Sequence, residues 1–309
     1  MQVTIGELSS AEVPSFCALF HTVFGASVTP RQWAWKYTQG PRLGSVNIVA
    51  RDHQGNIVGH AGASVFPGIC TQSSLAMAQV CDVMVSKNLR GGFEASGVYH
   101  RLMQALQNTL HQSFTNPYAY GFAGVRPFKL GQRMGFYRES HLCRPGYLHH
   151  LPPHKVPRLW SVQAAHWDAQ RLDRLWAPYA KSISLPTVSR TGAFLQWRYA
   201  SHPNNTYKLW VVRHLLQDKG WFITRTLPND EVCVIDALLP DHAHAPTLTA
   251  ALDAALTRVQ GRALPIFAWN LQTPQSTLVE PVVGGEVKVA QWHTQLPHPA
   301  FHPGDTDVF

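Results

Sequence analysis

The chain of 309 residues is short of charge: only 14% of it is Asp, Glu, Lys or Arg, with 18 acidic residues against 26 basic ones. Apolar residues make up 45%, so the scarcity of charge goes with a globular core, and a disordered chain is excluded. Cysteine is scarce too. Cys17, Cys70, Cys81, Cys143 and Cys233 are odd in number and form no Cys-x-x-Cys pair. That argues against a disulfide framework or a zinc site and fits a reducing compartment. No stretch approaches the roughly 18 consecutive apolar residues of a membrane helix, so none is expected. The opening MQVTIGELSSAEV has neither a basic start nor a long apolar core. A secretory signal is therefore not expected, and a cytoplasmic location is. The 17 histidines show no His-x-x-x-His on an evident helix; His149-His150 and His242/His244 sit in Pro-rich or loop-like stretches. No metal site is expected.

What is present centres on Gln79–Met103, QVCDVMVSKNLRGGFEASGVYHRLM. Val80–Val85 is a short run rich in β-branched residues and predicts a strand. A turn at Ser86–Asn88 leads into a loop with Arg90, Gly91, Gly92 and Gly97. Then Val98, Leu102, Leu106 and Leu110 recur every four residues, which gives a helix one apolar face. Strand, glycine-rich loop and helix make an anion-binding arrangement, because the glycines admit close approach and the first helical turn offers unpaired N–H groups. A dinucleotide, a nucleoside triphosphate and coenzyme A would all suit such a loop. No Gly-x-Gly-x-x-Gly fits the register and no Gly-Lys-Ser/Thr follows, which removes the first two.

The stretch resembles motif A of the GNAT acyltransferases, Val-x-Val, a short turn, then Arg-Gly-x-Gly opening a helix. The resemblance implies acetyl-CoA as co-substrate, with Val83, Met84 and Val85 along the pantetheine arm. It places Arg90, Gly91, Gly92, Gly97 and Val98 at the pyrophosphate. Here Phe93–Ser96 separates Gly92 from Gly97, where the family's loop is shorter. Residues 120–137, YGFAGVRPFKLGQRMGFY, resemble the family's next strand and helix, ending on a clear Met134-Gly135-Phe136. Many relatives carry a tyrosine in that helix that protonates the departing thiolate. The matching position is Gly131, so this acid is missing, and Tyr137 is the substitute candidate.

The rest of the chain supplies the frame. Residues 2–8 predict a strand and Glu12–Phe24 a helix; Thr29-Pro30 is a good N-cap and first-turn pair for a short helix. On that helix Trp33, Trp35 and Tyr37 read either as core packing or as a wall of the acceptor pocket. Asn47–Arg51 and Asn56–Ala63 predict an antiparallel pair around the turn Asp52–Gly55. Prolines at 145, 152, 153 and 157 predict a linker at 148–160 between domains at 1–147 and 161–309. A helix is expected across Val162–Trp176. The second half then repeats the first. Trp35-Lys36-Tyr37 is echoed by Trp197-Arg198-Tyr199, 162 positions on (197 − 35). Tyr207–Arg213 with Gly220–Arg225 predicts a second hairpin, Val232–Asp236 a strand ending on an acid, and Pro246–Gln260 a helix. Duplication at domain period explains this order. The expected fold is α/β, an α+β mixed sheet: two tandem GNAT-like domains, each a mostly antiparallel central sheet flanked by helices. Between strand and helix the second copy reads Leu239–Pro246 and has no glycine or arginine, so one cofactor site is expected. The His- and Pro-rich tail Gln291–Phe309 is expected to wrap the surface.

Acyl transfer to an amine needs a positioned thioester, a base for the amine and stabilisation of the thiolate. Asp82, on the strand beside the pantetheine path, reads as that base or as a structural carboxylate. Glu94 and His60 are further candidates, while Gln79 stands where some relatives keep a glutamate and cannot serve. The net charge of +8 and pI near 9.4 come from dispersed basic residues with no recognition motif, and a phosphorylated co-substrate accounts for them better than nucleic acid does. The expected function is N-acetyl transfer from acetyl-CoA to a small-molecule primary amine. Two rivals are an aminoacyl-tRNA-dependent peptidyl transferase with two GNAT-like domains and a non-catalytic acyl-CoA-binding module. A homo-oligomer is left open.

Overall fold

The computed structural model describes residues 3–90, 97–137, 142–143, 145–148, 159–239, 245–260, 266–269, 279–281, 287–288, 290–291, 301 and 303–306. The chain divides into two units: the first is Met1–His141 with Ser184–Ser189 and Lys288–His298, and the second is the remainder. The 149–158 part of the expected linker lies outside the described residues.

The first unit runs β1 (Thr4–Glu7), α1 (Val13–Phe24), α2 (Pro30–Tyr37), β2 (Gly44–Arg51), β3 (Ile57–Cys70), β4 (Ser73–Val85), α3 (Val98–Ser113), β5 (Pro117–Gly121) and α4 (Val125–Arg133). Its sheet has the order β1-β2-β3-β4-β5, with residues 290–291 on the far edge of β5. Neighbouring strands along that path pair antiparallel except β4 and β5, which are parallel. Thr29 caps α2 as its residue types demand: its hydroxyl accepts from Gln32 N, and Gln32 Oε1 accepts from Thr29 N. Arg42 closes the other end by donating to the carbonyls of Trp35, Lys36 and Gln39. The β2–β3 turn is held by Asp52 Oδ1, which accepts from Gln54 N and Asn56 N, and by Gly55 at φ +85°. On one face Leu102, Met103, Leu106 and Leu110 of α3 are fully buried against the sheet, each side chain contributing about 1.5–3 kcal/mol. On the other, α1 and α2 bury Phe16, Leu19 and Tyr37 over Val49, Cys81 and Met84.

The second unit has β6 (Trp160–Ala165), α5 (Ala169–Ala180), α6 (Gly192–Leu195, running on as a π turn to Ala200), β7 (Lys208–His214), β8 (Gln217–Thr226), β9 (Val232–Leu238), α7 (Ala245–Gln260) and β10 (Ile266–Trp269). Strands β6-β7-β8-β9 pair antiparallel, β9 and β10 parallel, and residues 145–148 and 279–281 extend the sheet. The mixed α/β class with predominantly antiparallel sheets is as expected.

Two expectations are corrected. Val162–Trp176 is not one helix. Trp160–Ala165 pairs with His214–Leu209 as a strand, and the helix starts only after Asp168, whose carboxylate caps it by accepting from Arg171 N. The described part of the tail does not wrap the surface: Phe301, Asp305 and Thr306 are buried, because Asp305 neutralises a buried arginine of the same unit.

Candidate active site

The first unit's site grows from an irregularity in β4. Cys81 faces Gly62 and Met84 faces His60, so Asp82 and Val83 together stand opposite Ala61. This is a bulge, and it puts Asp82 in the left-handed region at φ +51°. Three groups fix it. Lys36 Nζ lies 2.7 Å from Asp82 Oδ1, and the Tyr37 hydroxyl donates to Oδ2 at 2.7 Å. His60 Nδ1 donates to the Asp82 carbonyl at 2.8 Å. Gly62 makes this possible, since a Cβ there would sit 2.7 Å from both His60 Cε1 and the Tyr37 hydroxyl. The Asp82 side chain is 7% exposed and that of Lys36 19%, so the pair reaches the edge of solvent. Burial, then the Asp82 charge, holds the Tyr37 phenol well above its ordinary pKa and keeps it a donor. His60 is fully buried, and burial pushes its pKa down to about 4. The ring is neutral, donates through Nδ1, and keeps Nε2 3.1 Å from the Asn47 side-chain amide.

A second feature is a fork. The parallel pairing of β4 with β5 runs from Ala76/Pro117 to Gln79/Tyr120 and stops there. From Val80 onward, the β5-facing edge of β4 carries no strand among the described residues. This edge leads past Arg90, whose Nε donates to Val85 O at 2.7 Å, towards α3. Gly97 is the N-cap of α3 and has no side chain to cap it, so among the described residues no side-chain cap takes the N–H groups of the first turn, which suit an anion.

The third feature is an exchange of side chains behind α4. A Cβ on Gly131 would lie 2.1 Å from Tyr137 Cε2, so the Tyr137 ring fills the space of the missing side chain. Its hydroxyl stands 3.4 Å from that of Tyr99, in the first turn of α3. Burial raises the pKa of both phenols, so both remain protonated.

The structure thus brings Asp82, His60 and Tyr37 together. Trp33 packs against Tyr37 with the rings tilted by 37° and 5.5 Å between centroids, and Trp35 is buried in α2. Val83 packs against the α3-side core while Met84 is buried on the α1 side, so their contribution to an edge is through backbone. Tyr137 belongs to the α3-side cluster, apart from Tyr37 and Cys81. Gly91, Gly92 and Glu94 lie outside the described residues. Sequence reasoning gave Lys36 no role and missed Tyr99. The repeated aromatic-basic-aromatic triplet was the available signal for Lys36; Tyr99 had none. Among the described residues no cluster of His, Cys, Asp or Glu suits a metal ion, and no described helix is long and apolar enough to cross a membrane.

Residues 4–138 match the family model described as the acetyltransferase (GNAT) domain. That stretch contains the bulge, the fork and Tyr137 and is similar to that domain, and the match does not extend to the second unit. No curated protein matches the chain. Among solved structures, a GCN5-related N-acetyltransferase from Anabaena variabilis is similar, with a TM-score of 0.66 and 11% identity over 94% of this chain and 72% of that one. A probable N-acyltransferase from Enterococcus faecalis gives 0.67 and 12% over the same shares. A GCN5-related N-acetyltransferase from Kribbella flavida gives 0.64 and 14% over 94% and 70%. At such identities the likeness establishes the fold.

Proposed function

We propose that the first unit transfers an acyl group, acetyl in the simplest case, from acyl-CoA to the primary amine of a small molecule in the cytoplasm. The observation that carries this reading is the fork: β4 leaves β5 at Gln79, and its free edge leads to an uncapped helix N-terminus. The backbone of Val83, Met84 and Val85 pairs with the pantetheine amides. Arg90, Gly91, Gly92, Gly97 and Val98 take the pyrophosphate. Trp33 lines the acceptor pocket, with Trp35 and Tyr37 behind it. The amine nitrogen attacks the thioester carbon; the N–C bond forms, the C–S bond breaks, and sulfur leaves with the electron pair. Asp82, which keeps lone pairs beyond those used by Lys36 and Tyr37, takes the amine proton through a water. Tyr137, protonated beforehand, returns one to the thiolate. No metal is needed for this chemistry. His60 acts as an anchor of the bulge, since its Nδ1–H is held by the Asp82 carbonyl.

The second unit reads as a GNAT-like domain of the same duplication whose loop has lost the glycines and arginine of a pyrophosphate cradle. One observation favours a binding module instead: both Asp82 oxygens are already bonded. A thiol-release assay with acetyl-CoA across amine classes tests the activity. Asp82→Asn is expected to lower kcat by roughly 10²–10⁴-fold with CoA affinity unchanged. An unchanged rate with a lower melting temperature would make Asp82 structural.

A further inference from the structure

Gln79 cannot serve as a base, yet its amide and the Trp33 indole Nε1 are the two buried side-chain donors of the first unit that have no partner among the described residues. The residue is 6% exposed, and its Nε2 is buried with no hydrogen-bond partner among the described residues. A buried orphan donor costs on the order of 1–3 kcal/mol, so its retention calls for a ligand. Its place in the sheet is specific. Gln79 pairs with Ser64 on β3 and forms the last register with Tyr120 on β5, at the closed end of the fork. Side chains alternate along a strand. Ala78 and Val80 lie in the α3-side cluster, so Gln79 faces the side that carries Cys81, α1 and α2. Gly121 lets β5 approach Val80 closely at the base of the fork, since a Cβ there would lie 2.9 Å from Val80 O.

We propose that Gln79 Nε2 donates to the carbonyl oxygen of the acyl thioester, making it a catalytic residue of the first unit. This rests on the reading of the fork as the acyl-CoA channel. A chain laid along the free edge from Val85 inward ends at Gln79. The group it meets there is a neutral amide, which cannot abstract a proton but matches an oxygen that becomes negative as the amine adds. A fixed donor aimed at that oxygen strengthens as charge develops and costs no reorganisation.

The test uses CoA and acetyl-CoA on the full chain, because only the second carries the carbonyl. In titration calorimetry Gln79→Met is expected to weaken acetyl-CoA about tenfold while leaving CoA affinity and the melting temperature at or above wild type. Gln79→Glu, which replaces the donor with an acceptor, is expected to weaken acetyl-CoA further. An acetyl-CoA to CoA affinity ratio equal to wild type in either variant overturns the proposal and leaves Nε2 to a bound water. If wild type binds neither ligand, the acyl-CoA reading fails together with this one; a lost ratio in one variant alone, with the other folded and unchanged, also overturns it.

Discussion

Each unit contains a tyrosine that donates to an aspartate beside a strand irregularity, and the two constructions differ in what surrounds the carboxylate. In the first, Tyr37 meets Asp82 at the bulge of β4. In the second, Tyr199 donates to Asp236 Oδ2 at 2.9 Å, and Ile235 is the extra residue, since Ile223 faces Asp236 while Thr224 faces Val234. The parallel strand pairs also part just before each aspartate, at Gln79/Tyr120 and at Cys233/Phe267. Even the caps correspond: Thr29 and Thr191 are 162 positions apart (191 − 29), and each accepts from the backbone three residues on. The partners do not correspond. Asp82 has a lysine that is 19% exposed, whereas Asp236 is 1% exposed and faces buried Arg190, which is also held by both oxygens of Asp305 from the tail. Arg198, counterpart of Lys36, donates instead to the carbonyls of Gly304 and Thr306. The same local construction is open to a visitor in one unit and filled by the chain's own end in the other. That difference argues for one reaction centre per chain.

The contrast can be broken most forcefully at the cations. Arg190→Met strands two buried carboxylates and is expected to lower stability by about 3–5 kcal/mol. Lys36→Met, at a partly solvated pair, should lower it by about 1 kcal/mol. Urea unfolding reads both, and equal effects would erase the distinction between a filled and an open site. Acid comes next. The His60 ring is held neutral, so its stabilising contribution is complete above the ordinary imidazole pKa and is lost as pH falls from about 6.5 towards about 4. Over that window the wild type should lose about 3 kcal/mol from this group, and His60→Gln should flatten the fall. His202 in the second unit is shifted the same way but is only partly buried, so His202→Gln should flatten it less. For the ligand, calorimetric titration with acetyl-CoA is expected to give one site per chain. Arg90→Glu should weaken it by roughly 1–3 kcal/mol, with His242→Ala silent; a stoichiometry near two would contradict the asymmetry. The smallest pair is the caps, where Thr29→Ala and Thr191→Ala should each cost about 1 kcal/mol in thermal unfolding.

Sequence patterns made the local parts of this molecule legible. Thr29-Pro30 starts a helix, Asp52–Gly55 turns a hairpin, and the spacing from Val98 to Leu110 gives a buried face, because each depends on neighbours within a few residues. What escaped depends on distant or unmarked geometry. β3 runs on past Ala63 to Cys70 and β4 starts at Ser73, well before Val80, because they turn through Thr71 and Gln72 at φ +46° and +64°, with no glycine or asparagine to announce it. Trp160–Ala165 gains its strand character from pairing with β7, not from a pattern of its own. The Lys36–Asp82 pair joins residues 46 apart, and nothing in either neighbourhood declares the other. The tail's histidines and prolines suggested solvent, but the deciding residue was Asp305, through a buried partner 115 positions away.

The overlap of Gly131 with the Tyr137 ring also constrains how this chain can change over generations. A side chain at 131 and a ring at 137 compete for one volume, so the two positions are coupled: a substitution harmless in one background is excluded in the other. Any lineage moving between the two arrangements has to pass through a chain with neither group, and that intermediate carries a cavity where a ring should be. Losing a buried aromatic in this way destabilises by about 3–5 kcal/mol, comparable to the whole margin of a modest domain. The present arrangement is therefore insulated from reversal by single steps, and a paired exchange at 131 and 137 should be tolerated better than the change at 131 alone.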